Sequence, residues 1–384
     1  MWYNNRNAAI VRLDRLIQRR KFGKGAISIL RIWYNHTMCG ENLTTKTVLQ
    51  DLPGPLLAWY RANARDLPWR RTTDPYQIWV SEIMLQQTRV AAVLGYYARF
   101  LETFPTVEAL AAAPEERLMK LWEGLGYYSR ARNLQKAARI VAEQGGRFPD
   151  TYQDLLALPG VGDYTASAIA SAAFGRREAA VDGNVLRVVA RISGDGGDIA
   201  RPDTKARMRA ALQAVLPVDA PGDFNQALME LGATVCLPNG APLCDRCPAA
   251  DFCTARREER TGELPVKAAK KARRIEARTV FLIFWEKKVA LRRRPGRGLL
   301  AGLWEYPNEL SPAPCPVEAA GLSGGPAGKH IFSHIEWHMT AQIVEAASPE
   351  LPEGWVWADR AALERDYAVP NAFQAFAGAV EARL

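Results

Sequence analysis

Four cysteines within 18 residues constrain the fold of this chain more than any other feature. Cys236, Cys244, Cys247 and Cys253 follow the spacing C-x7-C-x2-C-x5-C. Four thiolates on so short a segment can surround one zinc ion or one iron–sulfur cluster, and spacing alone does not decide between the two. The cysteines are not spread along the chain as in a secreted disulfide scaffold, and a typical signal peptide is missing. Both observations favour a reducing compartment. The sequence therefore predicts a loop that folds around a metal centre.

The composition is that of a soluble globular protein with two or three domains. Hydrophobic residues make up 48% and charged residues 24% of the 384 residues, which excludes bulk disorder and collagen-like classes. No apolar stretch approaches the ~20 residues that a membrane-spanning helix needs. We therefore expect a soluble chain that can bury sizeable cores, and the reducing compartment inferred from the cysteines would be the cytoplasm.

The net charge of +9 is concentrated at the N-terminus. Residues 1–50 hold nine basic and two acidic side chains, so this extension alone carries +7. We predict that the extension is disordered, although residues 10–20 could form a short basic amphipathic helix. The overall charge is therefore poor evidence for a nucleic-acid partner, and function has to be inferred from individual sites.

A change of hydrophobic periodicity divides the rest of the chain. Residues 51–255 show helical spacing with Pro and Gly breaks, which predicts an all-α domain. Residues 256–277 are rich in charge and alanine and are typical of a linker. From residue 278 to 384 we predict an α+β domain, with a long loop at Ser311–Gly328. Its predicted strands are Thr279–Trp285, Val289–Arg292 and Trp337–Glu345.

Two carboxylates are candidates for acid–base chemistry. Glu82 follows Ile78 and Trp79 on one helix face, so burial is expected to raise the pKa of its carboxyl and suit it to act as a general acid. A Glu that only bonds a neighbouring helix end would give the same pattern. Asp182 precedes a predicted helix, where an Asp commonly caps the helix but can also stabilise a bound cation.

Glycine-rich turns between helices are candidate DNA contacts. Gly160 and Gly162, in the string Leu-Pro-Gly-Val-Gly, join two predicted helices and could place backbone amides and a helix N-terminus against a phosphate. An ordinary helical hairpin has the same pattern. The segments 86–88 and 124–128 combine amide, glycine and aromatic residues that look exposed and could enter a duplex beside an extruded base.

These motifs together resemble the helix-hairpin-helix DNA glycosylase superfamily, and in particular its adenine-specific branch. The resemblance covers about residues 51–384. Besides the four cysteines, it rests on six strings: Ser81–Thr88, Trp122–Tyr128, Leu158–Gly162, Val181–Val185, Leu300–Glu305 and Phe332–His334.

The resemblance implies an enzyme of base excision repair that hydrolyses the N-glycosidic bond of adenine opposite 8-oxoguanine or guanine in double-stranded DNA. Glu82 would protonate adenine N7, and Asp182 would stabilise the oxocarbenium-like sugar. Tyr164 and Asn184 match positions that shape the pocket and the catalytic network. The implied DNA contacts are Gln87, Thr88, Leu125, Tyr127, Gly160, Gly162, Phe332, Ser333 and His334.

The resemblance also implies a [4Fe-4S] cluster on the four cysteines and a C-terminal lesion-recognition domain. The first cysteine gap is one residue longer than the common pattern, which a loop can absorb. The C-terminal domain is similar to the Nudix hydrolase fold but lacks the catalytic Arg-Glu…Glu-Glu box, so we expect it to recognise rather than hydrolyse. We expect a monomer that works at the bacterial nucleoid.

Position 164 distinguishes reaction types within the superfamily. Bifunctional members place a Schiff-base lysine where this chain has Tyr164, so the sequence predicts a monofunctional glycosylase. Two other interpretations stay open at this point. One is a thymine- or oxidised-pyrimidine-specific glycosylase on the same scaffold, and the other is a catalytically inactive DNA-damage-binding protein.

Overall fold

The structure, a computed structural model, describes residues 48–268 and 272–384. The described chain separates into two compact units. The first unit comprises residues 48–64, Gly183–Pro217 and Gln226–Val266, and the second comprises Arg65–Asp182, Val218–Asn225 and the chain from Lys267 to Leu384. The predicted disorder and the amphipathic helix of the N-terminal extension lie outside the described residues, apart from residues 48–50.

Helices fill the chain from residue 53 to residue 257, as the hydrophobic spacing predicts. Here the predicted all-α fold is confirmed. The twelve α-helices are α1 (Pro53–Asn63), α2 (Pro75–Leu85), α3 (Val90–Thr103), α4 (Val107–Ala112), α5 (Glu115–Trp122), α6 (Ser129–Glu143), α7 (Tyr152–Leu156), α8 (Asp163–Phe174), α9 (Gly183–Ser193), α10 (Pro202–Val215), α11 (Pro221–Thr234) and α12 (Thr254–Arg257).

The helical core of the second unit is built on aromatic side chains. Trp79 of α2, Phe100 of α3 and Trp122 of α5 are fully buried. The rings of Phe100 and Trp122 meet edge to face at 6.0 Å between centroids, a favourable geometry for aromatic pairs. This core surrounds α2, so side chains on the inner face of that helix are removed from water.

Helix α2 begins and ends at residues suited to those positions. The Asp74 side chain accepts a hydrogen bond from the backbone N–H of Tyr76, and Pro75 occupies the first turn. The helix ends before Gln87, whose φ of 58° is left-handed. The left-handed residue therefore separates α2 from α3, which begins at Val90.

A mixed seven-stranded sheet forms the C-terminal domain within the second unit. The strand order is β3-β2-β1-β6-β5, with β4 paired to β1 and β7 to β2. β1 and β6 are parallel. The strands are β1 (Arg274–Trp285), β2 (Lys288–Arg293), β3 (Trp304–Glu305), β4 (Asn308–Leu310), β5 (Ala319–Ile331), β6 (Ile335–Ala346) and β7 (Trp355–Ala358), and they are followed by α13 (Arg360–Arg365), a 3-10 segment (Asn371–Phe376) and α14 (Ala377–Glu381).

Alternate residues of β1 enter cores on opposite faces of the sheet. Leu282 and Phe284 pack on the face that carries the C-terminal helices, whereas Phe281 and Ile283 pack on the other face. The predicted strands are confirmed, but the prediction of a loop at Ser311–Gly328 is wrong because β5 occupies its entire second half. β5 is an edge strand with a register shift between Gly324 and Ala327, where glycine and proline are tolerated.

Candidate active site and cysteine loop

Glu82 is buried inside the helical core of the second unit. It lies on α2 with 3% of its surface exposed, which confirms the burial that the sequence predicts. The pKa of Glu82 is raised to about 7, chiefly by desolvation. A hydrogen bond from Tyr164 opposes this shift, the negative charge of Asp182 adds to it, and the charge of Arg70 opposes it. A carboxyl with this pKa can hold a proton near neutral pH and release it.

Tyr164 is the hydrogen-bond partner of Glu82. It stands in the first turn of α8, and its Oη donates to Glu82 Oε2 at 2.6 Å. Burial, followed by the charges of Glu82 and Asp182, holds the pKa of Tyr164 well above its ordinary value. The phenol therefore stays neutral and remains a donor at physiological pH. Helix α8 also contacts the end of α2 through Gln86 Nε2, which donates to Thr165 Oγ1 at 3.2 Å.

Asp182 immediately precedes α9 and acts electrostatically on both Glu82 and Tyr164. The structure therefore brings three of the four predicted catalytic side chains together. The fourth, Asn184, belongs to the first unit, where its Oδ1 accepts a hydrogen bond from Arg187 Nη2 at 2.8 Å.

The glycine turn between α7 and α8 has the predicted helical-hairpin form. Gly160 has a φ of 77°, and a Cβ there would lie 2.7 Å from the Cβ of Asn133. Gly162 caps α8 with extended backbone, and a Cβ there would meet nothing within 4 Å. The first glycine is thus required by the fold, whereas the second leaves open space at the start of α8.

The two predicted DNA-contacting turns differ in what they expose. Gln87 is exposed, Thr88 is half-buried, and Tyr127 is 47% exposed with a left-handed φ of 47°. The expected exposure is wrong for Leu125, which is 6% exposed in the helical core. Its backbone N–H bonds the Trp122 carbonyl, and this turn directs the side chain inward.

Arg130, which the sequence reasoning missed, joins these two turns. It lies on α6, is 9% exposed, and stacks 5.5 Å from the ring centre of Tyr127. Burial lowers its pKa to about 10, so the guanidinium stays charged at neutral pH. The sequence signal that could have revealed it is a basic residue at the same helical spacing as the buried apolar residues of a predicted helix. Its Nη atoms donate to the carbonyls of Ile83 (2.8 Å), Met84 (3.0 Å), Gln86 (2.5 Å), Leu125 (3.0 Å) and Gly126 (3.1 Å).

Phe332, Ser333 and His334 form the turn between β5 and β6 and face the turn that carries Tyr127. Ser333 Oγ lies 3.4 Å from Tyr127 Oη, and the Phe332 ring packs on Trp337 at 4.9 Å between centroids. Both turns line one cavity of about 470 Å³, together with residues 298–301 and 370–372. The cavity is large enough for a nucleobase-sized group.

The four predicted metal ligands line one cavity in the first unit. Arg191 Nη1 donates to Cys236 Sγ at 3.3 Å, and the Cys253 thiol donates to the Arg191 carbonyl at 3.4 Å. Burial raises the pKa of Cys247 to about 11, so its thiolate needs a compensating cation. A shared cavity lined by four thiols fits an iron–sulfur cluster or zinc in donor chemistry. Across residues 48–268 and 272–384, no group of three or more His, Cys, Asp or Glu side chains is arranged to hold a single metal ion.

None of the helices in the described ranges is both long and apolar enough to cross a membrane.

Comparison with known proteins identifies the family. Residues 80–217 match the HhH-GPD superfamily of base excision DNA repair proteins, and residues 279–378 match the NUDIX domain. The chain is 37% identical to adenine DNA glycosylase of Homo sapiens, over 79% of this chain and 69% of the human protein. Identity to the Mus musculus adenine DNA glycosylase is also 37%, over 77% of this chain and 70% of the mouse protein.

A solved thermostable thymine-DNA glycosylase is 30% identical and covers 56% of this chain and 97% of its own, with a TM-score of 0.49. On the strength of its curated relatives, the chain belongs to the adenine DNA glycosylase family of HhH-GPD base excision repair proteins.

Proposed function

We propose that this chain removes adenine from double-stranded DNA where the adenine is mispaired with 8-oxoguanine or guanine. The observation that carries the proposal is the buried Glu82 carboxyl, which has a pKa of about 7, accepts a hydrogen bond from Tyr164 and feels the charge of Asp182. Family membership supports the choice of adenine. The opposing base follows from the resemblance to the adenine-specific branch, and the cavity between the Tyr127 turn and the Phe332–His334 turn offers a place for it.

In this proposal Glu82 acts as the general acid. An extruded adenine is a poor leaving group until N7 is protonated, and general acid catalysis typically contributes ~10²–10⁴-fold. Tyr164 donates to one carboxyl oxygen of Glu82, which leaves the other oxygen to carry the transferred proton. After transfer, the hydrogen bond from Tyr164 stabilises the carboxylate.

Asp182 is proposed to stabilise the positive charge that develops on the sugar as the base leaves. Asn184 is proposed to assist in the catalytic network through its amide. With Tyr164 in place of a lysine, the site offers no amine for a covalent sugar adduct, so water completes the reaction and the enzyme is monofunctional.

The proposed DNA interface combines three segments. Gly160 and Gly162 would bring the hairpin backbone close to a phosphate. Gln87, Thr88 and Tyr127 would enter the duplex beside the extruded adenine, and Leu125 would join them only if its turn leaves the core. The exposed side chains of Ser333 and His334, with Phe332, would contact the base opposite.

The four cysteines are proposed to hold a [4Fe-4S] cluster with a structural role. Glycosidic hydrolysis transfers no electrons, so the cluster would supply cross-linking of the loop rather than chemistry at the base. Cys236, Cys244, Cys247 and Cys253 would be its four ligands. Domain boundaries at residues 51, 256 and 278, a monomeric state and a cytoplasmic location at the nucleoid stay predictions.

The proposal is tested by base release from defined duplexes. Duplexes with one A opposite 8-oxoguanine, G or T are incubated with the full chain and then treated with alkali, which breaks the strand at an abasic site. We expect strand breaks at A opposite 8-oxoguanine and G, little breakage at A·T, and no covalent adduct after borohydride reduction. Glu82→Gln should abolish breakage and retain DNA binding, while Glu102→Gln serves as the matched control.

Equal breakage of the A·T duplex, or full activity of Glu82→Gln, would contradict the proposal. A G·T mispaired duplex is included as a further substrate, and base release from it alone would identify a thymine glycosylase instead. Tight binding of the mispaired duplex without any base release would identify a damage-binding protein.

A further inference from the structure

The turn Gly124–Tyr128, which carries Tyr127, adopts a backbone that needs external support. Gly124 and Gly126 have φ values of 99° and 68°, and Tyr127 is left-handed without being glycine. A Cβ at Gly124 would overlap the hydroxyl of Tyr96, so the chain approaches its neighbour very closely there. A left-handed non-glycine residue persists only when its surroundings hold it in place.

The C-terminal domain supplies part of that support through Lys120, at the end of α5. All three donors of its ammonium group are used. Lys120 Nζ donates to Glu123 Oε2 at 2.6 Å, and to the carbonyls of Leu363 and Tyr367 in the C-terminal domain at 2.7 Å and 3.2 Å.

The same domain also bonds the first residues of the turn. Glu123 Oε1 accepts the backbone N–H of Val369 at 2.6 Å, and Asn371 Nδ2 donates to the Gly124 carbonyl at 2.9 Å. Lys120 and Glu123 have side-chain exposures of only 20% and 27%, so water screens their charge-assisted hydrogen bonds incompletely. Four contacts from the C-terminal domain therefore converge on Lys120, Glu123 and Gly124, where the chain enters the turn.

We propose that Lys120, Glu123 and Asn371 form a latch through which the C-terminal domain holds the Tyr127 turn ready for DNA. They are positioning residues, because they act through the backbone of the turn and do not contact the reacting atoms. The inference rests on the proposed adenine glycosylase function. It adds a second role for the C-terminal domain, one that does not depend on the base opposite adenine.

The latch has a distinct kinetic signature. If the turn is held correctly in only a fraction of molecules, the apparent Kd for DNA rises by the inverse of that fraction. Once DNA is bound, its own contacts hold the turn and the rate of base release is restored. Loss of the latch should therefore raise the enzyme concentration at half-saturation and leave the saturating rate unchanged.

Hydrogen exchange of the full chain tests the latch without using activity. Lys120→Met keeps the aliphatic stem but removes the three donors, and Glu123→Ala removes the carboxylate that accepts from Lys120 and from the backbone N–H of Val369. Each should accelerate amide exchange at residues 124–128 by at least about fivefold and leave α4 unchanged. Lys136→Met on the exposed face of α6 is the matched control and should change neither segment.

Single-turnover base release, followed against enzyme concentration, tests its consequence. For A·8-oxoguanine and A·G duplexes alike, both latch variants should raise the half-saturation concentration by at least about threefold at an unchanged plateau. The latch would be overturned if both variants kept wild-type amide exchange at residues 124–128. It would also be overturned if the half-saturation concentration rose only for the 8-oxoguanine duplex. A wild-type chain that releases no adenine would instead refute the proposed function, a result that the exchange data distinguish from failure of the latch.

Discussion

The protonation of the Glu82 carboxyl is set by a balance between desolvation, which favours the neutral form, and its polar contacts. Complete ionisation inside the helical core would leave a charge that the hydrogen bond of Tyr164 and the charge of Arg70 compensate in part. Asp182 adds a second negative charge and favours the protonated form. The arrangement keeps a transferable proton near neutral pH, and it makes the folded protein less stable whenever that proton is lost.

Substitution of Glu82 by Gln is expected to stabilise the protein at alkaline pH. The pKa of about 7 in the folded state exceeds the ordinary value of 4.5, so the folded chain binds more protons between these values. Stability from Glu82 is thus complete below about pH 4.5 and is lost as the pH rises through about 7. Glu82→Gln should exceed wild type by roughly 3 kcal/mol near pH 8 and equal it near pH 4.

Urea unfolding at several pH values measures this difference. The exposed Glu102→Gln control should follow the wild-type stability at every pH. A Glu82→Gln curve parallel to wild type over the whole range would show that the carboxyl titrates normally.

The burial of an individual residue could be predicted where its neighbours in space are also its neighbours in sequence. The burial of Glu82 follows from its neighbours on the same helix face, three or four residues away. Its bond to Tyr164 joins residues 82 positions apart, and the carbonyl partners of Arg130 come from two different turns. Such contacts depend on helix packing, which periodicity does not specify.

At the scale of elements, the hairpin between α7 and α8 shows how two glycines of one motif serve different purposes. Gly160 is needed for a left-handed turn packed against Asn133, whereas Gly162 leaves space at the start of a helix. The fold therefore accounts for the first glycine. Close approach of a phosphate accounts for the second in the proposed function.

Alanine substitutions separate these two purposes. Gly160→Ala should lower the free energy of unfolding by about 1–3 kcal/mol because its φ is left-handed and its Cβ would overlap Asn133. Gly162→Ala should leave thermal stability nearly unchanged but weaken DNA binding. Urea unfolding and duplex titration of both variants give the comparison, and equal loss of stability in the two would contradict it.

Helices and strands could be predicted where one hydrophobic periodicity dominates the segment. Predictions failed at an edge strand and at a turn, where the local composition suggested a different structure. A continuous apolar run identifies β1 and alternating apolar residues identify β6, both central in the sheet. β5 is rich in glycine and contains proline, yet it pairs along β6 because an edge strand needs hydrogen bonds on one side only. Likewise Leu125 lies in a turn that looks exposed in sequence, but the glycines around it direct its side chain into the core.

At the scale of the whole molecule, catalysis and structural support draw on different parts of the chain. The proposed acid and its partners belong to the second unit, and the four cysteines belong to the first. Motif spacing indicated both sites, whereas the latch could not be predicted because it joins residues about 250 positions apart, as with Lys120 and Tyr367 (separated by 247).

The cysteine loop is expected to hold iron and sulfide in the purified full chain. A visible thiolate-to-iron absorption band should accompany them, and Cys247→Ser should lose the band and lower the melting temperature. Cys315→Ser is the matched control, since Cys315 lies in the C-terminal domain outside the loop. Stoichiometric zinc without iron in native preparations would contradict the cluster.

The pH dependence of single-turnover adenine release tests the central role of Glu82 most directly. With saturating enzyme and an A·8-oxoguanine duplex, the rate constant should be level on the acidic side and fall about tenfold per pH unit above about 7, because the acid form of Glu82 is consumed. A rate that stays constant or rises up to about pH 9 would contradict proton donation by Glu82.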